Sequence, residues 1–90
     1  MRSHTSERFR DAFTRLPPAI QERAQRAYRL FEQNPQHPSL QFKPSLRVAD
    51  VFSARINDAY HALGARQDDD IVRFWIGSHA DYDRLVSRLS

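Results

Sequence analysis

The chain has no cysteine, two glycines and a single lysine, Lys43. Without cysteine there is neither a disulfide framework nor a thiolate metal site. With only Gly64 and Gly77, the phosphate-loop and dinucleotide fingerprints fail, and no Gly-x-Ser-x-Gly is present to carry a serine nucleophile. The longest apolar run, Phe74–Gly77, falls far short of the ~20 residues that cross a bilayer, and MRSHTSERFR lacks the apolar core of a signal peptide. A soluble cytoplasmic protein without membrane association is expected. Ninety residues make one domain, 1–90, whose core is too small to enclose a large cavity, so a shallow groove is the expected form of any site.

What is present is arginine. Fourteen cations give a net charge of +3, and all but Lys43 are arginines. The planar guanidinium suits bidentate contact with phosphate and stacking on bases, which points toward a nucleic-acid partner; arginine-rich codon usage gives the same skew.

Between about Ser6 and Asn34 the apolar residues Phe9, Phe13, Leu16, Ile20, Ala24, Ala27, Tyr28 and Phe31 recur at helical spacing. Pro17-Pro18 interrupts them, so two helices meeting at a corner are predicted. Glu22, Arg23, Arg26, Arg29 and Gln33 form an opposite face read as solvated. Pro35 to Leu46 is predicted to be an extended loop. From Val48 the period becomes two, with Phe52, Ala54 and Ile56 on the apolar side; Asp50 also falls there, so the strand is expected to begin just after it. Asn57-Asp58 turns the chain into a second strand, Ala59 to Ala65, and Gln67 to Asp70 turns it into a third, Ile71 to Ile76. Ala80 to Leu89 closes as an amphipathic helix with Tyr82, Leu85, Val86 and Leu89 inward. The predicted class is α+β: two helices on a three-stranded antiparallel meander, then a short helix.

Arg55 is offset by one from the apolar set of its strand and so projects onto the sheet face away from the helices. His61 lies on the adjacent strand, Arg73 on the third, His79 at that strand's end and Tyr82 at the start of the next helix, and where the registers permit these surround one groove. RNA self-cleavage needs these residue types. The 2′-hydroxyl loses a proton, the phosphorane gains charge and the 5′-oxygen takes a proton, and histidine can serve as acid or base near neutrality. Each residue also has a structural reading. Arg73 pairs with Asp68, Asp69 or Asp70; His61 is a half-buried strand histidine; Tyr82 and Trp75 are core; His79 caps a strand end. His61, His79, Asp81 and Asp83 lack the spacing of a metal site, and neither metal nor other cofactor is expected.

The segments FRDAFTRLPPAIQERAQRAYRLFEQNPQHPSLQFK, VFSARINDAYHAL and IVRFWIGSHADYDRL, in that order, resemble the RelE/ParE superfamily of toxins from toxin–antitoxin systems, over about Phe9 to Leu85. The resemblance implies helices on a small antiparallel sheet, a short or missing N-terminal strand around Arg2 to Ser6, and an antitoxin partner encoded nearby. It implies one of two targets. RelE-like members cut mRNA in the ribosome without a metal, and ParE-like members poison DNA gyrase. Arg55 corresponds to the arginine of the family's first meander strand. His61 stands where members usually have arginine after tyrosine. Gly77-Ser78-His79 resembles a Gly-Ser/Thr-His motif whose histidine acts as general acid. The implied function is a ribosome-dependent mRNA endoribonuclease. In it His79 is the acid, His61 or Tyr82 assists deprotonation, and Lys43, Arg55 and Arg73 bind the substrate. The alternative is a non-catalytic gyrase poison, or a degenerate toxin that only binds antitoxin.

Overall fold

The computed structural model describes residues 2–44 and 50–89. Ser6 opens the first helix, α1 (Glu7–Thr14), by accepting a hydrogen bond from the Phe9 amide at 3.1 Å. The predicted corner follows, and α2 (Pro18–Gln33) begins with proline where no helical N–H is needed. Gln21 locks the corner. Its side-chain amide donates to the carbonyls of Phe13, Thr14 and Leu16 at 3.1–3.3 Å, groups that a helix end leaves unpaired.

The sheet is larger than the predicted meander. Among the described residues it has five strands, β1 (Arg2–Thr5), β2 (Lys43–Pro44), β3 (Val51–Asn57), β4 (Tyr60–Gln67) and β5 (Asp70–Ser78), in the order β1-β5-β4-β3-β2. The N-terminal strand is present, pairing parallel to β5 and fastened by a His4 to Asp70 contact of 3.4 Å. The sheet is therefore mixed. The predicted loop contains a 3₁₀ turn at Pro38–Leu40 and the two-residue β2, whose brevity left no alternation to read. β3 starts directly after Asp50, which takes a left-handed conformation, φ 65°. The expected strand positions Val48 and Ala49, and the inward positions Val86 and Leu89, lie outside the residues and side chains described. The last helix, α3 (His79–Leu89), starts one residue earlier than predicted.

The first two helices, α1 and α2, cover one sheet face. Phe9, Ala24 and Ile76 form its buried centre, joined by Phe13, Leu16, Ile56 and Ala62. Opposite this register, Arg55 pairs with His61 and His61 with Gly77, which puts these three on the other face. Between Leu63 and Gly64 the pairing slips: Leu63 faces Trp75, but Gly64 faces Arg73, so Phe74 is an extra residue in β5. Leu63, beside the slip, is 1% exposed. Leu63→Ala is expected to destabilise the fold by about 2–5 kcal/mol in denaturant titration.

Candidate functional site

The Asn57-Asp58 turn is built by the Asn57 side chain, which accepts from the amides of Ala59 (2.8 Å) and Tyr60 (3.0 Å). That turn carries a clamp. The Ala59 carbonyl accepts a 2.6 Å hydrogen bond from the His79 amide, tying the end of β5 to the start of β4. His79 is thereby set beside His61. Each member of Gly77-Ser78-His79 has a local reason. A Cβ at Gly77 would lie 2.8 Å from Cζ2 of Trp75, so the indole rests on a bare backbone. Ser78 caps α3 by accepting from the Asp81 amide at 3.1 Å. His79 is then the first residue of the helix.

His61 Nε2 and His79 Nδ1 are 3.1 Å apart, so one nitrogen donates and the other accepts. On its other side, His79 Nε2 faces Asp83 Oδ2 at 3.6 Å, one helical turn on. Tyr82 lies against both imidazoles, with ring centroids 5.6 Å from His61 and 6.3 Å from His79, and against Trp75 at 6.1 Å. The half-buried Trp75 packs within this outer cluster, against Tyr82 and the bare backbone of Gly77. The cluster is shallow: the His79 side chain is 58% exposed.

Two cations flank it. Arg55, ion-paired with Asp58, stands opposite His61 in the ladder, and Lys43 pairs with Ser53, two residues from Arg55 on the same face. Both act on His61. Its pKa is held below the ordinary histidine range by burial first, then by the charges of His79, Lys43 and Arg55, with Asp83 opposing them. Arg55 also lines a second cavity of about 270 Å³ with Arg23 and Arg26, on the helix face that the sequence suggested was merely solvated.

Arg73 is not in this group. The extra residue at Phe74 reverses the alternation of β5, so Arg73 turns to the helix side. There its guanidinium stacks 3.8 Å from the Tyr28 ring centroid and 5.1 Å from that of Phe9, while Nε donates to Ser3 Oγ at 3.0 Å. Neither the substrate-facing position nor pairing with the Asp68–Asp70 run is found. Asp83 is the residue sequence reasoning passed over in this role, and its position four after His79 was the available signal. Among the described residues no three His, Asp or Glu side chains converge to hold a metal ion, and no helix is long and apolar enough to cross a membrane.

Protonation of His61 opposes folding. Its share of stability is intact above about pH 6.5, the unfolded value, and is lost as pH falls from there through the lower folded value. In NMR titrations, Lys43→Ala and Arg55→Ala are each expected to move the His61 midpoint upward, since each removes a charge that disfavours the imidazolium. An unmoved midpoint in both variants would contradict the electrostatic coupling.

Solved structures with this fold are several. A chain of the RelB–RelE antitoxin–toxin complex from Methanococcus jannaschii superposes with a TM-score of 0.73 at 14% identity, covering 90% of this chain and 96% of that one. YafQ from Escherichia coli gives 0.70 at 13% identity, covering 91% and 98%. A chain of the toxin–antitoxin complex RelBE2 from Mycobacterium tuberculosis gives 0.68 at 22%, covering 87% and 96%. No curated protein matches in sequence. The sequence model of the ParE-like toxin domain matches residues 18–84.

Proposed function

The chain belongs to the ParE-like toxin domain family, and from that premise we propose that it is a ribosome-dependent mRNA endoribonuclease held in check by an antitoxin. The observation that carries this reading is the 3.1 Å contact between His61 Nε2 and His79 Nδ1, on an open face flanked by Lys43 and Arg55. A singly protonated pair contains one acid and one base facing each other. We assign the proton to His79, whose Nδ1–H donates to His61 Nε2 while its Nε2–H points to Asp83. His61, kept neutral by burial and its cationic neighbours, is then the base.

Entry of a phosphodiester between the two rings separates them. The 2′-hydroxyl gives its proton to His61 Nε2 as O2′ attacks phosphorus, and His79 Nδ1–H goes to the 5′-oxygen as the P–O5′ bond breaks. The products are a 2′,3′-cyclic phosphate and a 5′-hydroxyl. Arg55 and Lys43 meet the charge developing on the phosphorane, and Arg23 and Arg26 extend the cationic surface along the strand's path. Tyr82, packed on both rings, fixes their relative orientation. The antitoxin partner is likewise proposed: the M. jannaschii and M. tuberculosis structures of this fold are complexes of toxin with antitoxin.

One observation favours a second reading. The matching domain is ParE-like, and the resemblance that gives ParE members DNA gyrase as target needs no acid–base pair. Purified protein incubated with ribosomes carrying message, and separately with gyrase and DNA, decides between them. The expected outcome is cut message, with His79→Ala and His61→Ala each slowing cleavage by about 10²-fold or more. Wild-type rates in both variants, or gyrase-linked DNA breaks with intact message, would sink the nuclease assignment.

A further inference from the structure

The lone pair by which one imidazole accepts a proton from the other is also the pair with which histidine binds a metal ion. Transition-metal ions take imidazole nitrogen at about 2.0–2.1 Å, so two nitrogens 3.1 Å apart, as His61 Nε2 and His79 Nδ1 are, subtend about 100° at a shared ion. That angle lies between the roughly 90° of a square-planar pair and the roughly 109° of a tetrahedral one, the geometries of copper(II) and zinc. The spacing is that of a chelating pair. To meet the ion, the lone pairs turn outward by about 40° each from the line joining the nitrogens. The open side of the cluster permits this, the His79 side chain being 58% exposed.

The surroundings suit the same ion. Binding through Nδ1 leaves the other proton of His79 on Nε2, which Asp83 Oδ2 faces at 3.6 Å. A carboxylate on the far nitrogen of a ligating histidine fixes its tautomer and strengthens it as a ligand. The two rings are also held in place beforehand. His61 is fixed by the ladder of β4 with β5, His79 by its amide bond to the Ala59 carbonyl, and Tyr82 packs against both. Chelation therefore orders little that is not already ordered. Lys43 and Arg55, on the same face, repel a cation attracted by charge alone. Magnesium, which seeks an octahedron of oxygens, gains nothing from two imidazoles, whereas copper(II) and zinc do. Among the described residues no third ligand converges on the pair, so water completes the coordination.

We propose that His61 and His79 form a two-nitrogen site for a divalent transition-metal ion, such as zinc or copper(II), and that the ion switches off the acid–base pair. It takes both facing lone pairs, the shared proton leaves to solvent, and neither the base nor the acid remains. The binding stands on the geometry of the two rings, while the inhibition rests on the nuclease reading.

Zinc, copper(II) and magnesium added singly to the full-length protein test the site. In NMR spectra of the histidine rings, zinc is expected to shift His61 and His79 together and to leave His4 and His37 in place, and magnesium to shift none. Copper(II) is expected to bind more tightly than zinc. His61→Ala and His79→Ala should each weaken zinc binding about tenfold or more, and Asp83→Asn about tenfold with both rings still shifting. His79 and Asp83 are largely exposed, so their variants decide even where His61→Ala does not fold. Shifts at one histidine alone, an affinity untouched by loss of the His79 ring, or binding centred on His4 or His37 would each overturn the site. With ribosomes at constant magnesium, zinc that fills the site is expected to stop message cleavage, and a chelator that spares magnesium to restore it. Cleavage that continues with the site filled refutes the inhibition. Zinc binding without cleavage, chelator included, refutes the nuclease and the inhibition with it and leaves the ion site standing.

Discussion

One extra residue in β5 sets what each side of the sheet presents. From Ser78 back to Trp75 the strand alternates in step with β4; past Phe74 it is out of step, and every side chain down to Asp70 changes sides. With an unbroken alternation Arg73 would stand beside the histidines, exposed, and Ile71 would follow it outward. Instead Ile71 is 3% exposed and Arg73 is stacked among the rings of α1 and α2. The slip therefore leaves the outer face to the histidine pair and places the Arg73 guanidinium on the helix side, against the rings of Tyr28 and Phe9. Gly64 sits at the slip, where a Cβ would come within 3.0 Å of the Ile71 side chain, so the small residue is part of how the shift is accommodated.

The outer cluster is open because a chain of this length has little surface with which to enclose it. Openness limits what its charges can do alone, since water weakens both the acid–base pair and the cations beside it. On the proposed nuclease reading, a large substrate-bearing surface would supply the missing wall. An open site of this kind suits a large partner surface better than a small molecule.

Much of this was legible in the sequence, for identifiable reasons. The helix pair followed from one long stripe broken at Pro17-Pro18, and the β3–β4 turn from Asn57-Asp58, because periodicity and turn chemistry are local. The meeting of His61 and His79 was expected only where the registers permitted it; two short connections put their strands side by side but do not set the register. β1 and β2 were harder. Four polar residues and two residues near prolines carry no alternation, and they are strands because the sheet's edges offer them partners. Arg73 was expected at the groove if the registers permitted; the bulge at Phe74 turns it away, and nothing in Val72-Arg73-Phe74-Trp75 signals one. Trp75 packs as expected, but which surface it packs on depends on the bare backbone of Gly77, which no local pattern announces.

The two faces also differ in what they cost the fold. On the outer side the polar cluster is solvated and little is lost by leaving it uncovered. On the inner side, the rings of Phe31, Phe42 and Phe52 keep apolar area in water at roughly 25 cal/mol per Å² forgone. The radius of gyration, 12.1 Å, is that of a close-packed domain of this length, so these rings are not left open by an expanded chain. They are left open by how the helices are divided, α1 lying along β5 while α2 reaches across to β3.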